Sequence, residues 1–72
     1  MHTFESARAY VEALRFHVMH ARQSHRLAWR AGVAGYANDA AALRGHARAH
    51  MAQAWRLKAR NRQRMIDRLT AD

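Results

Sequence analysis

The sequence predicts an all-α protein: a two-helix hairpin that dimerises into an antiparallel four-helix bundle. Three observations carry this expectation. The 72 residues contain no proline, and 17 are alanine, the strongest helix former. Apolar and small residues recur at alternating three- and four-residue steps in two long blocks. Between the blocks, Gly32 to Asp39 reads G-V-A-G-Y-A-N-D and holds two of the three glycines and the only Asn-Asp pair. Those are turn-forming residues, so this stretch is the bend.

The first helix is expected from about residue 4 to about residue 31. Thr3 is placed to cap it, and Glu5 sits where the helix dipole favours an anion. Phe4, Ala7, Val11, Leu14, Val18, Ala21 and Ala28 then form the seam, with His25 in the remaining place. Glu12 lies one turn from Arg8 and Arg15, so part of the charge is used locally. Gly32 marks the stop.

Residues 32–38 form the turn, and Asn38 or Asp39 is the expected cap of a second helix from about 39 to about 69. Its seam is Leu43, Ala47, His50, Ala54 and Leu57, with Met51 beside it and Met65, Ile66 and Leu69 closing the apolar face. Gly45 weakens this helix by about 1 kcal/mol relative to alanine unless another backbone packs against it. The two halves echo one another at an offset of 26 residues: H-A-R at 20–22 and 46–48, A-W-R at 28–30 and 54–56, Tyr10 and Tyr36.

Residues 1–72 make a single domain. The larger apolar side chains number 19, and there is no cysteine to supply disulfides or thiolate metal sites. Two long helices with so few large side chains leave one face wet, which is why a homodimer is expected. In architecture alone, the expected assembly is similar to small RNA-binding hairpin dimers of plasmids.

Charge points to the partner. Twelve arginines and one lysine face five acids, a net charge of +8. Residues 40–72 hold eight of the basic residues and two of the acids. Such a balance favours an anionic partner. The densest run is Arg56, Lys58, Arg60, Arg62, Arg64 and Arg68. Within it Arg56, Arg60, Arg64 and Arg68 form a row at four-residue spacing, which repels itself unless an anion neutralises it. That row could follow a phosphate backbone, with Asn61 and Gln63 adding hydrogen bonds and Trp55 stacking on a base. A second line, Arg8, Arg15, Arg22, Arg26 and Arg30, reads as surface charge on the first helix.

The leading expectation is therefore a non-catalytic, regulatory nucleic-acid-binding protein, for DNA or RNA, using the second helix. The alternative is a small inhibitor of the kind phages and mobile elements encode, docking on an acidic surface of a larger host protein. Trp29, Tyr36 and Trp55 would be its anchors. A further variant comes from Leu27-Ala28-Trp29-Arg30-Ala31-Gly32-Val33-Ala34, which resembles the first helix and turn of DNA-binding helix-turn-helix proteins. That variant requires the first helix to break near Gln23-Ser24. It also sets Asn38 where a buried aliphatic residue is expected.

Other classes find little support. The two serines and five scattered acids form no catalytic constellation, and there is no glycine-rich phosphate loop or small-molecule site. His46 and His50 share a helix face, as do His17 and His20, but neither pair carries the third and fourth ligands that zinc wants, so no metal or cofactor is expected. No 18-residue window lacks arginine, which argues against a membrane span, and the first residues lack a secretory pattern. A cytoplasmic location is the expectation.

Overall fold

The computed structural model describes residues 7–71. Two helices account for nearly all of them: α1, Ala7–Val33, and α2, Ala37–Leu69. They fold back on each other as a hairpin, with principal extents of 58 × 18 × 17 Å. The radius of gyration is 16.3 Å, against roughly 11 Å for a compact domain of this length. The expected caps and seam residues Thr3, Phe4 and Glu5 lie outside the described residues.

The bend is tighter and later than expected. α1 runs through Gly32 to Val33, and Gly35 makes the stop. Its φ of +91° is the left-handed conformation that side-chain-bearing residues avoid. The N–H of Gly35 donates to the Gly32 carbonyl at 3.1 Å, and that of Tyr36 donates to the Ala31 carbonyl at 2.8 Å. This pair of bonds is the Schellman closure, which satisfies the carbonyls that a helix end leaves open. Tyr36 then opens α2 at once, its carbonyl accepting from the Ala40 N–H at 3.0 Å. The expected cap at Asn38 or Asp39 is therefore corrected: Tyr36 holds the capping position and makes no side-chain cap. Asp39 sits in the first turn, where its charge meets the helix dipole.

α2 follows the expected seam. Ala47, Ala54 and Leu57 are buried, Leu43 and His50 are half-buried, and Ala40 extends the line toward the bend. α1 does not follow its expected seam throughout. Ala21 and Ala28 are buried and Leu14 and Val18 are half-buried, but Ala7, Val11 and His25 are exposed. The other half of the seam is Tyr10, His17, Ser24 and Ala31, one residue back from the expected column. Both columns have heptad spacing, so spacing alone does not choose between them; the ring of His17 meeting His50 across the seam marks the one used. Adding 26 to the α1 seam positions 14, 17, 21, 24, 28 and 31 yields the α2 seam positions 40, 43, 47, 50, 54 and 57. The internal echo thus superimposes one seam on the other.

Met65, Ile66 and Leu69 do not close the apolar face; they are exposed by 54%, 43% and 80%. The seam continues instead through Asn61 and Arg64, both half-buried. Leu69 ends α2, and Thr70 closes it, its N–H and its Oγ1 both donating to the Ile66 carbonyl, at 3.0 and 2.8 Å.

Of the six buried apolar residues among those described, five are alanine. Alanine lets the helices lie close but contributes only one methyl group each, about 0.8 kcal/mol per buried carbon. Meanwhile Phe16, Met19, Trp29 and Trp55 stand at 49%, 60%, 71% and 63% exposure.

The glycines supply a test. A side chain at Gly45 would meet nothing within 4 Å, so no neighbouring backbone requires a glycine there. Gly45→Ala should raise the unfolding free energy by about 1 kcal/mol, and Gly35→Ala should lower it by about 1–2 kcal/mol because of its positive φ. Urea unfolding followed by circular dichroism measures both.

Candidate nucleic-acid interface

The arginine row of α2 is a spiral. Twelve residues make three turns and a third at 3.6 residues per turn, so the row swings about 120° around the axis from Arg56 to Arg68. Arg56 and Arg60 are exposed, while Arg64 leans on the seam and is half-buried. Lys58 and Arg62 leave the helix on the other flank. The six expected cations therefore do not share one face. Among the described residues none of the six pairs with a carboxylate. Asp67, inside the run, accepts instead from Gln63 Nε2 at 2.9 Å, and Asn61 Nδ2 donates to Met65 Sδ at 3.8 Å. The two amides expected to reach a base or phosphate are thus engaged within their own helix. Arg8 Nε meets Glu12 Oε1 at 3.1 Å in an exposed ion pair on α1.

The hairpin has two unlike faces. On one, Phe16 and His20 of α1 meet His50 of α2, with ring centroids 6.0 and 5.3 Å apart. The same face holds a shallow groove between Leu27 and Ala31 of α1 and Ala42 and His46 of α2. Residues on the opposite flank of each helix must then share the other face. By the helical step these are Arg15, Arg22 and Trp29 on α1 and Arg44, Trp55, Lys58 and Arg62 on α2. Val18 and Met19 line a shallow hollow there with Arg15 and Arg22.

This second face is broader than the row read from sequence. It joins Lys58 and Arg62 to Arg15 and Arg22 of the first-helix line, and to Arg44, which stands outside the C-terminal run. The signal was present: Arg15 and Arg22 are a heptad apart, as are Arg44 and Met51, then Lys58. What was lacking was the phase of α1. Trp55 is 63% exposed with Lys58 Nζ 5.2 Å from its ring centroid. That is a cation–π contact holding an aromatic plane beside a free cation. Trp29 is exposed by 71% on the same face. The two indoles lie roughly 22 Å apart along the hairpin, since fifteen residues of helix rise separate their levels. Tyr36, exposed by 63%, stands at the bend.

α1 is continuous through Gln23 and Ser24, so the helix-turn-helix variant is not the arrangement found. Ser24 packs on the seam, and Leu27 to Ala34 is the end of α1 and the start of the bend. No described helix is long and apolar enough to cross a membrane.

The histidines cluster at mid-seam. His17 Nδ1 and His50 Nδ1 are 2.9 Å apart, a hydrogen bond that needs one proton between the two nitrogens. Phe16 sits against His20 with centroids 4.3 Å apart, and His20 stacks on His50. Burial and the charges of His17, His20 and His46 hold the His50 pKa below the ordinary histidine value. Among the described residues no group of three or more histidines or acids is placed to hold a metal ion. His25 stands apart, exposed on α1.

Comparison with protein-family models, curated proteins and solved structures finds no match to this chain.

The histidine cluster makes a prediction about pH. Because the folded His50 binds a proton less readily than the unfolded one, its contribution to stability is fully present above the unfolded pKa and is lost as pH falls below it. The melting temperature should therefore drop between about pH 7.5 and pH 5.5. His50→Leu should lessen that drop. A melting temperature equal at the two pH values, in the unmodified protein, would contradict the assignment.

Proposed function

We propose that the chain is a non-catalytic nucleic-acid-binding protein that works as a pair of hairpins in the cytoplasm. One observation carries the reading: the face bearing Lys58 and Arg62 gathers, from both helices and around two exposed tryptophans, cations that pair with no carboxylate among the described residues. Unpaired guanidinium groups gain most from phosphate, which they grip in a planar fork. Flat aromatic side chains beside them offer stacking to unpaired bases. The described hollow on this face, lined by Arg15, Val18, Met19 and Arg22, is shallow and open, which suits a polymer backbone better than a small molecule. The outer arginines Arg56 and Arg68 would extend the footprint past the flank.

The second reading is an inhibitor that docks on an acidic protein surface. It is favoured by the exposure of Trp29 and Tyr36 near the bend, away from the densest cations. Large aromatic side chains of this kind are the usual anchors of protein interfaces.

Fluorescence anisotropy against duplex DNA, single-stranded DNA and a hairpin RNA, at two salt concentrations, separates them. The nucleic-acid reading expects tight binding that weakens steeply with salt. Lys58→Ala with Arg62→Ala should weaken it by about tenfold and lower the salt slope by about two, one for each phosphate contact removed. Trp55→Ala should weaken the single-stranded ligand more than the duplex. Weak binding with no preference among ligands, unchanged in the double variant, favours the protein partner instead.

A further inference from the structure

We infer that a second copy of this chain covers the face opposite the cations, packed antiparallel, with Asp39 of each copy meeting Arg60 of the other. This rests on the reading that the chain works as a pair, and assigns the surface that pairs.

Composition marks the face first. From Ala13 to Ala31 on α1 and from Ala42 to Gln53 on α2, its positions are alanine, phenylalanine, histidine, serine, leucine and glutamine. None is Asp, Glu, Lys or Arg, in a chain with 18 such residues. Charge depletion is the signature of an interface core, whereas solvent-facing helix positions normally carry charge. Phe16 and Leu27 stand here exposed by 49% and 42%. Small alanines between them leave room for a facing helix to approach.

Surface area supports an occupant of this size. The accessible surface is 6045 Å². A folded monomer of 8.3 kDa is expected to expose roughly 4,600 Å². The excess is about 1,450 Å² for each chain, or about 2,900 Å² for a pair, which lies within the range of obligate homodimers.

Charge complementarity sets the direction. Asp39 lines the groove at the bend end of this face. Arg60 continues the stripe at the far end, within about 40° of His46 around α2. Ala49 and His50 lie midway between them in sequence. A two-fold axis at that level places Asp39 of each copy against Arg60 of the other, at both ends of the face. Phe16, level with His50, then lies beside the axis and meets Phe16 of the second copy. A parallel arrangement would set Arg60 against Arg60 and bring the two C-terminal arginine runs together. The antiparallel one sends those runs to opposite ends and leaves both cation-bearing faces outward.

Sedimentation equilibrium in the absence of nucleic acid tests this independently of the basic face. The unmodified chain should show a two-chain mass, and Phe16→Glu with Leu27→Glu a one-chain mass. Asp39→Arg alone and Arg60→Asp alone should each weaken the pair by about tenfold, and the two together should recover most of that loss. This charge exchange also decides the matter if the double glutamate variant loses its helical signal. A one-chain mass for the unmodified protein would overturn the pairing. A two-chain mass that survives both glutamates, or a charge exchange that restores nothing, would overturn this face as its site. Neither result would bear on whether Lys58 and Arg62 hold phosphate.

Discussion

Everything in this molecule depends on the seam of alanines. Ala21 and Ala28 from α1 and Ala40, Ala47 and Ala54 from α2 are the buried residues that let two long helices lie side by side. A methyl group fills the space between close helices without overpacking, but it removes little apolar surface from water. Size and composition leave no second core to compensate. The large side chains lie on the flanks, where the hairpin alone cannot cover them. The seam thus explains both the elongated shape and the exposure of the large side chains on the flanks.

The flanks divide cleanly by chemistry. Between Asp39 and Arg60 at its ends, one carries rings, alanines and a leucine with no formal charge; the other carries arginine, lysine and tryptophan. Antiparallel packing makes this division possible, because corresponding flanks of α1 and α2 fall on the same side of the hairpin. The echo at 26 residues reinforces it. His20 and His46 fall on one face, while Trp29 and Trp55 fall on the other. The histidine cluster at mid-seam adds a polar contact where an aliphatic pair would have been the simpler choice. It ties the register of the two helices to one hydrogen bond between His17 and His50.

Much of the hairpin was legible in the sequence. The absence of proline, the glycine-bearing bend and the spacing from Leu43 to Leu57 identify two helices and the seam of the second. The phase of α1 was not legible, because Val11, Val18 and His25 form as regular a column as Tyr10, His17 and Ser24. Greasiness favoured the first, and the contact with α2 selected the second. Gly32 looked like the stop because it comes first, yet it fits a helix, and only Gly35 takes the left-handed turn. The candidate site suffered from the same missing phase. Arg56 to Arg68 is conspicuous as a run, but a helix spreads it around the axis. The face that collects cations from both helices appears only when Arg15 and Arg22 are turned beside Lys58 and Arg62.

We propose that the alanine seam alone does not hold the fold, so that folding and pairing are coupled. Thermal unfolding by circular dichroism, at protein concentrations from roughly 1 to 100 µM, tests it most directly, since coupled association makes the midpoint depend on concentration. The account predicts a melting temperature that rises steadily across that range. A melting temperature independent of concentration, with full helicity at the lowest, would mean that the single hairpin is self-sufficient and would contradict it.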